Sequence, residues 1–235
     1  MAELQATLTP AFACSYLPGQ QEQLLCLPPQ PGLDATSYGQ LLAMGFRRSG
    51  EQVYAPRCSG CNACLPLRIE VSRFEPSHSQ KRIQRRARMW HSRLVNPDWA
   101  RYWPLFDAFV TARHGDGGMY PPRFETMTSF LGCRWLATQA LELWCGAELA
   151  AVMIVDRVPD ALSAVYTFFS PDHADASPGK LAVLTLLELA QAEGVDYVYL
   201  GYQVDECRKM NYKRDFRPYQ LLIGNQWQEV VDELR

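Results

Sequence analysis

Hydrophobic and polar positions along the chain change period several times, and each change marks an element. Leu67, Ile69 and Val71 alternate with Arg68, Glu70 and Ser72, the period-two pattern of a half-buried strand. Before it, Pro18-Gly19, Pro28-Pro29 and Pro31-Gly32 break the first thirty-odd residues into short apolar runs. A short helix is predicted from about Ser37 to Met44, with Asp34, Thr36 or Ser37 as N-cap and Gly45 at its C-terminal cap. Gln52-Val53-Tyr54 leads into Pro56-Arg57-Cys58. Ser77 to Arg93 reads as one helix with a basic face. Trp99 to Arg113 reads as another, with Leu105, Phe106 and Phe109 toward a core and Gly115, Gly117 and Gly118 ending it.

From Trp135 the pattern turns to strands: Trp135-Leu136-Ala137, Leu141 to Trp144, Leu149 to Val155 and Ser163 to Phe169. The clearest helix follows, with Ser177 as its cap, Pro178 in the first helical position and Gly194 after its end. Leu181, Val183, Leu184, Leu186, Leu187 and Leu189 make it apolar over a wide arc, so it should pack on a sheet. Val195 to Gly201 and Tyr219 to Ile223 are the last predicted strands. Strands, a buried helix and more strands argue an α+β fold. Glu75-Pro76 offers a boundary between residues 1–75 and 76–235.

Composition narrows the class. With 48% hydrophobic and 20% charged residues among 235, the chain is globular rather than disordered. No run reaches the ~18–20 apolar residues of a membrane span, and the first residues lack the basic and apolar regions of a secretory signal. The expected setting is a reducing cytoplasm, where the eight cysteines mean metal, redox chemistry or packing. Three of them form Cys58-x-x-Cys61-x-x-Cys64 around Gly60, a spacing that lets thiolates converge. Cys14 or Cys26 is a candidate fourth ligand for zinc or an iron–sulfur cluster. The alternative is a compact turn with small buried thiols. Cys133, Cys145 and Cys207 stand apart.

The net charge of −2, from 23 Lys and Arg against 25 Asp and Glu, seems to argue against a nucleic-acid partner. The distribution reverses that inference. Arg68 to Arg93 holds eight Lys and Arg and two acids, a net of +6, so the rest of the chain carries −8. Lys81, Arg82, Arg85, Arg86 and Arg88 with Trp90 and His91 form a patch suited to phosphates and stacked bases. Ser177-Pro-Gly179-Lys180 opens a helix and is a candidate anion site. Tyr199 to Arg217 crowds aromatic, acidic and basic residues just beyond a strand, a common place for a site.

These segments also carry a resemblance. Cys14-Ser-Tyr-Leu-Pro-Gly-Gln, Tyr54-Ala-Pro-Arg57-Cys58 with Cys61, Cys64 and Arg68-Ile, Ser-Pro-Gly-Lys180, and Gly201-Tyr-Gln-Val-Asp205-Glu-Cys-Arg-Lys209-Met-Asn-Tyr212-Lys213 together resemble the aminoacyl-tRNA–protein transferases. The match runs from about residue 12 to 223 and is nearest the bacterial members that carry leucine. The resemblance implies transfer of leucine from leucyl-tRNA to proteins beginning with Asp or Glu, in the cytoplasm. Those products are N-degrons. It also implies an acetyltransferase-like (GNAT) fold in the C-terminal part, preceded by a small cysteine-bearing domain. Where arginyl-carrying relatives resemble a C-x-x-C pair, this chain has Cys14 followed by Leu17.

Such a reaction is aminolysis of an activated ester and requires no cofactor. Asp205 is the candidate base, Gln203 positions the carbonyl, and Tyr166, Tyr202 and Tyr212 are candidate donors to the oxyanion or leaving hydroxyl. Arg57, Arg68, Lys209 and Lys213 are candidate partners for the acceptor's carboxylate. Phe168, Leu200 and Met210 are candidates for the leucyl pocket. The basic helix would hold the acceptor stem, with Gly179 and Lys180 as a second phosphate contact. Three other readings stay open: an arginine donor, a small-molecule N-acetyltransferase, and a non-catalytic RNA-binding or metal-sensing module. The chain shows no clear Q/R-x-x-G-x-G/A loop of the second kind.

Overall fold

The computed structural model describes residues 5–115 and 117–230. The N-terminal part holds β1 (Thr7–Leu8), β2 (Phe12–Ala13), β3 (Gln21–Glu22), β4 (Leu24–Leu27), α1 (Ala35–Ala43), β5 (Arg47–Ser49), β6 (Gln52–Pro56) and β7 (Leu65–Glu70). Next come α2 (His78–Arg86), β8 (Trp90–Val95), α3 (Trp99–Arg113) and α4 (Phe124–Leu131). Then follow β9 (Thr138–Cys145), β10 (Glu148–Val158), β11 (Ala161–Phe169), α5 (Pro178–Ala192), β12 (Tyr197–Gln203), β13 (Gln220–Ile223) and β14 (Gln226–Glu229). This is a mixed α+β fold. Its large sheet has eight strands in the order β14-β13-β7-β12-β11-β10-β9-β8, and a second sheet has the order β1-β4-β6-β5. β7, on the N-terminal side of the 75/76 boundary, pairs with β12 and β13 inside the large sheet.

β10 is the axis of the core. Residues 150–155 are almost completely buried, and its alternation feeds two faces. Ala151, Met153 and Val155 join Leu141, Leu143, Leu162 and Val198 under α5, whose Leu184, Leu186 and Leu187 are buried there. Val152 and Ile154 meet Tyr102, Phe106 and Phe109 of α3 and Met127 and Leu131 of α4 on the other face. Further along that face, Tyr38 and Leu42 of α1 pack with Val53, Ala55, Ala161 and Tyr199. Each large apolar side chain buried this way contributes about 1.5–3 kcal/mol.

The caps explain several element ends. Asp34 accepts from the Ser37 backbone N–H at 2.7 Å while the Ser37 hydroxyl accepts from the Asp34 N–H at 2.9 Å, which fixes the start of α1. Asp98 accepts from the Arg101 N–H and opens α3 over the predicted residues. Three expectations need correction. The basic helix stops at Arg86 rather than Arg93, because Trp90–Val95 is drawn into the sheet as β8, pairing with β9. Trp135-Leu136-Ala137 is no strand: the Trp135 indole donates to the Glu51 carbonyl at 3.0 Å, Leu136 turns into the core, and β9 begins at Thr138. Ser177 precedes α5 but makes no capping bond, since its backbone is left-handed (φ 56°).

One ion pair joins the two sheets. The Arg48 guanidinium of β5 donates to both Asp156 oxygens of β10 at 2.6 Å, with both side chains fully buried. It also donates to the carbonyls of Gly50 and Leu131 and to the Thr138 hydroxyl at 3.0–3.2 Å, so the charge is surrounded by acceptors. Removing one partner leaves a buried, uncompensated charge. Arg48→Met is therefore expected to lower the unfolding free energy by about 3–5 kcal/mol in urea titrations, and a paired Arg48→Met/Asp156→Leu change to recover most of that loss.

Candidate active site

The site grows from an irregularity in the large sheet. β12 runs parallel to β11 for three residue pairs, Ala161 with Tyr197 through Ser163 with Tyr199, and then the pairing ends. On its other side its register with β7 shifts between Tyr199 and Tyr202. Gly201 lies at that shift with φ +82°, a conformation that costs an L-residue about 1–2 kcal/mol. The extra residue breaks the period of two, so Tyr199 and Tyr202 both lie beneath one guanidinium, that of Arg47, at 5.1 and 5.5 Å.

Arg47 comes from β5, one residue before Arg48. Its NH1 donates to the Phe46 carbonyl at 2.6 Å and the Leu42 carbonyl at 3.4 Å, and its NH2 to Gly201 at 3.3 Å. Its Nε is buried with no partner among the described residues. Lys213 arrives from a 3-10 turn, Asn211–Asp215, and donates to the Tyr202 carbonyl at 2.5 Å. Burial, then the nearby Arg47 charge, lowers its amine to about 7; Cys207 and Cys64 act in the opposite direction. The turn is pinned at Asp215, whose carboxylate pairs with Lys180 at 2.8 Å and whose carbonyl accepts from Gln80 at 3.0 Å. Thus the start of α5 and α2 both hold the turn that carries Lys213.

The expected catalytic residues gather here. Gln203 is buried and donates to Asp205 Oδ1 at 2.8 Å, while its own Oε1 has no partner among the described residues. Asp205 is exposed, with Arg214 at 3.7 Å. The Tyr202 hydroxyl donates to the Gly45 carbonyl at 2.9 Å, which ties β12 to the end of α1. Met210 Sδ lies 3.4 Å from Lys213 Nζ. Tyr212 is half-buried against the core under α5. Gly179 sits at the start of α5, where an added Cβ would meet Phe169 at 3.6 Å.

Other candidates lie elsewhere. Phe168 is completely buried with Tyr102 and Phe106 under α3, and Tyr166 packs against Phe106, Phe109 and Phe130. The Tyr166 hydroxyl is buried with no partner among the described residues. Arg68 is sandwiched between Tyr197 at 3.8 Å and Trp227 at 4.3 Å, with Nε on Gln220, so its guanidinium is already engaged. Arg57 is exposed, donating to its neighbour Pro56, and Lys209 is exposed. Arg47 was not singled out by sequence. Nothing in the run Phe46-Arg47-Arg48-Ser49-Gly50-Glu51 separates it from the paired Arg48 beside it.

Cys14 Sγ accepts from the Tyr16 and Leu17 N–H groups at 3.4 Å. Cys58 Sγ accepts from the Gln23 N–H at 3.5 Å and faces the Gln23 carbonyl at 3.8 Å. Burial foremost, then Cys14 and Cys58, pushes the Cys64 thiol up to about 12. Cys61 is half-buried, and Cys26 is buried on β4. Among the described residues no group of three or more His, Cys, Asp or Glu is arranged to hold a metal ion. As placed, these thiols do not fit a zinc or iron–sulfur ligand set.

The basic patch is open. Lys81, Arg82, Arg85 and Arg86 are exposed on α2 and Arg88 follows it, with no carboxylate paired to any of them among the described residues. Beside them a pocket of about 440 Å³ is lined by Gln84, Arg88, Trp90, His91, Thr185 and Glu188 among others. His91 stacks on Trp144 with rings 9° from parallel, and Arg93 and Arg101 approach the same indole at 5.7 and 5.9 Å.

This chain belongs to the arginine-tRNA-protein transferase family and is an aminoacyltransferase: the family's N-terminal part matches residues 12–82 and its C-terminal part residues 101–223. Among its relatives, the aspartate/glutamate leucyltransferase of Aeromonas hydrophila subsp. hydrophila is 46% identical over 227 residues, 97% of this chain and 95% of its own length. That of Aeromonas salmonicida is 44% identical over the same shares. A crystal structure of FemX is similar with a TM-score of 0.46 and 9% identity, covering 84% of this chain and 79% of its own.

Proposed function

We propose that this protein transfers leucine from leucyl-tRNA to the N-terminal Asp or Glu of proteins in the cytoplasm, making them substrates for degradation. The observation that carries this reading is the 46% identity to an aspartate/glutamate leucyltransferase across 97% of this chain, which spans every candidate site residue. The topology supports a GNAT-like C-terminal part: antiparallel β9, β10 and β11, the crossover α5, and a β12 that leaves β11 after three pairs. No helix among the described residues is long and apolar enough to cross a membrane.

The chemistry fits residues at the end of β12. The acceptor's α-amine loses a proton and attacks the leucyl carbonyl. The C–N bond forms as the ester C–O bond breaks, and the terminal ribose hydroxyl of the tRNA leaves with a proton. The ester is already activated, so the transfer needs orientation and proton movement rather than a covalent enzyme intermediate. An α-amine of pKa about 7.7–8.0 is mostly protonated at neutral pH. Asp205, exposed and oriented by Gln203, is the proposed base. The unpartnered Gln203 Oε1 is an acceptor for the incoming ammonium. Tyr202 acts by position, its hydroxyl holding Gly45, and with Tyr166 in the aromatic core under α3, Tyr212 is the remaining phenol donor on this segment. Met210 and Leu200 lie on the site segment as candidates for the leucyl pocket. The tRNA lies along Lys81, Arg82, Arg85, Arg86 and Arg88, with Trp90, His91 and Trp144 offering ring faces to unpaired bases.

The family's own description specifies arginine, which favours a second reading in which the donor is arginyl-tRNA. Labelled leucyl- and arginyl-tRNA offered with peptides beginning Asp, Glu or Ala decide between them. Leucine transfer to the Asp and Glu peptides alone is expected, and arginine transfer would replace the donor assignment. Reversing charge at Arg85 and Arg86 should weaken tRNA binding and reduce the slope of log affinity against log salt by about two, since each lost phosphate contact contributes roughly one. An unchanged slope moves the tRNA elsewhere. Asp205→Asn should slow single-turnover transfer by about 100-fold with leucyl-tRNA binding retained. A wild-type rate removes Asp205 as base.

A further inference from the structure

Two buried basic side chains, Arg47 and Lys213, face no carboxylate among the described residues. Arg47 is 5% exposed and Lys213 is 6% exposed. Neither has an ion-pair partner among the described residues, and the contacts of both are backbone carbonyls, aromatic faces and one thioether. The contrast lies one residue away. Arg48, on the same strand and equally buried, has both oxygens of Asp156. Buried charge is costly without an opposite charge, and carbonyl dipoles offset only part of that cost. A fold that supplies a carboxylate to Arg48 and none to Arg47 or Lys213 leaves a standing demand for an anion.

The place of that demand is informative. Arg47 and Lys213 approach β12 at adjacent carbonyls, Gly201 and Tyr202, immediately before Gln203 and Asp205. Gly201 carries no side chain to shield the amine: an added Cβ would stand 3.8 Å from Lys213 Nζ. Arg47 Nε and Gln203 Oε1, a donor and an acceptor, are both buried and unpartnered in this region. A small molecule presenting a carboxylate and an ammonium a few bonds apart meets both needs. The other candidate cations do not match. Arg68 is only half-buried and its Nε is already on Gln220, and Arg57 and Lys209 are exposed, where solvent leaves an ion pair worth only about 0–1 kcal/mol.

We propose that Arg47 and Lys213 together bind the side-chain carboxylate of the acceptor's N-terminal Asp or Glu and so set its acid specificity. The assignment rests on the proposed transfer to acidic N-termini. An N-terminal Asn or Gln would have the same shape yet leave both cations unpaired, which is the condition for strong rejection of an isostere. Arg47 offers its charge and its unpartnered Nε–H to one carboxylate oxygen, and Lys213 adds a point charge at the next carbonyl of β12.

The test uses full-length protein, saturating leucyl-tRNA and peptides beginning Asp, Glu, Asn and Gln. Wild-type protein transferring to Asp and Glu upholds the underlying reading; without that transfer, the reading itself fails before this inference is reached. Arg47→Gln and Lys213→Met are each expected to raise KM for the Asp peptide by about 100-fold, the order seen when one partner of a desolvated charge pair is removed. KM for leucyl-tRNA should stay unchanged, and the preference for Asp over Asn should fall by a similar factor. Arg47→Lys should recover part of that preference. A variant that loses rate on all four peptides equally while keeping the Asp-over-Asn ratio shows a merely structural role and overturns the proposal. If Arg47→Gln fails to fold, the ratio measured with Lys213→Met, whose residue sits on a short turn, decides alone.

Discussion

The bidentate pair between Arg48 and Asp156 governs how the rest of this protein is arranged. β5 is only three residues long and pairs with a single strand of the small sheet, so backbone bonds alone hold it weakly. The pair fastens it to the centre of the large sheet through β10, and the carbonyls of Gly50 and Leu131 join in from the loop and from α4. Strand side chains alternate in direction, so fixing Arg48 toward β10 fixes Arg47 away from it. There it meets β12 at the one point where that strand is irregular. The small sheet is thereby more than a cover over an apolar face. It delivers a charge to the end of the strand where the chemistry is proposed.

β12 can receive that charge because of what happens on both its sides. Toward β11 the parallel pairing ends at Tyr199, and toward β7 the bulge at Gly201 interrupts the ladder. A regular strand would turn Tyr199 and Tyr202 to opposite faces and give its carbonyls to its neighbours. Here both tyrosines flank Arg47, and the carbonyls of Gly201 and Tyr202 are free to accept from Arg47 and Lys213. The segment beyond is then folded back by the Lys180–Asp215 pair and by Gln80, whose buried amide reaches the same residue from α2. The basic helix and the proposed acyl-transfer site share that anchor.

What was legible in the sequence was what depends on local pattern. The alternation of Leu67, Ile69 and Val71, the α3 span and the leucine-rich α5 follow from periodicity and end signals that tertiary structure did not overrule. Where neighbours compete, the reading slipped. Trp90 to Val95 has a helical start upstream but pairs with β9, a partner fifty residues away that no window contains. Ser177 carries a capping side chain, yet its left-handed backbone turns the hydroxyl away from that use. The densest part of the candidate site, Gln203 to Lys213, was visible as an excess of aromatic and charged residues. Arg47 was not, because an arginine's lack of a partner is a property of three-dimensional neighbours. Phe168 and Arg68 were misleading for the converse reason: each has ordinary partners, one in an aromatic core and the other between two rings.

The division of charge along the chain acquires a physical meaning from this geometry. The proposed transfer calls for recognition of two anions of very different sort, a polyanionic tRNA and a single carboxylate. Exposed Lys and Arg on α2 suit the first, since many screened contacts with phosphates sum to affinity without demanding exact geometry. They cannot suit the second, because one surface ion pair is too weak to separate Asp from Asn. Discrimination of a single charge requires low dielectric, where the unmatched case leaves a cation unpaired. The exposed cations of α2 are therefore at the surface, and the two cations assigned to the carboxylate are buried, carried by a short strand and a short turn. Both of those elements are held by ion pairs, Arg48 with Asp156 and Lys180 with Asp215. Paired charges fix the positions of the unpaired ones, and the unpaired ones are what remains available to substrate.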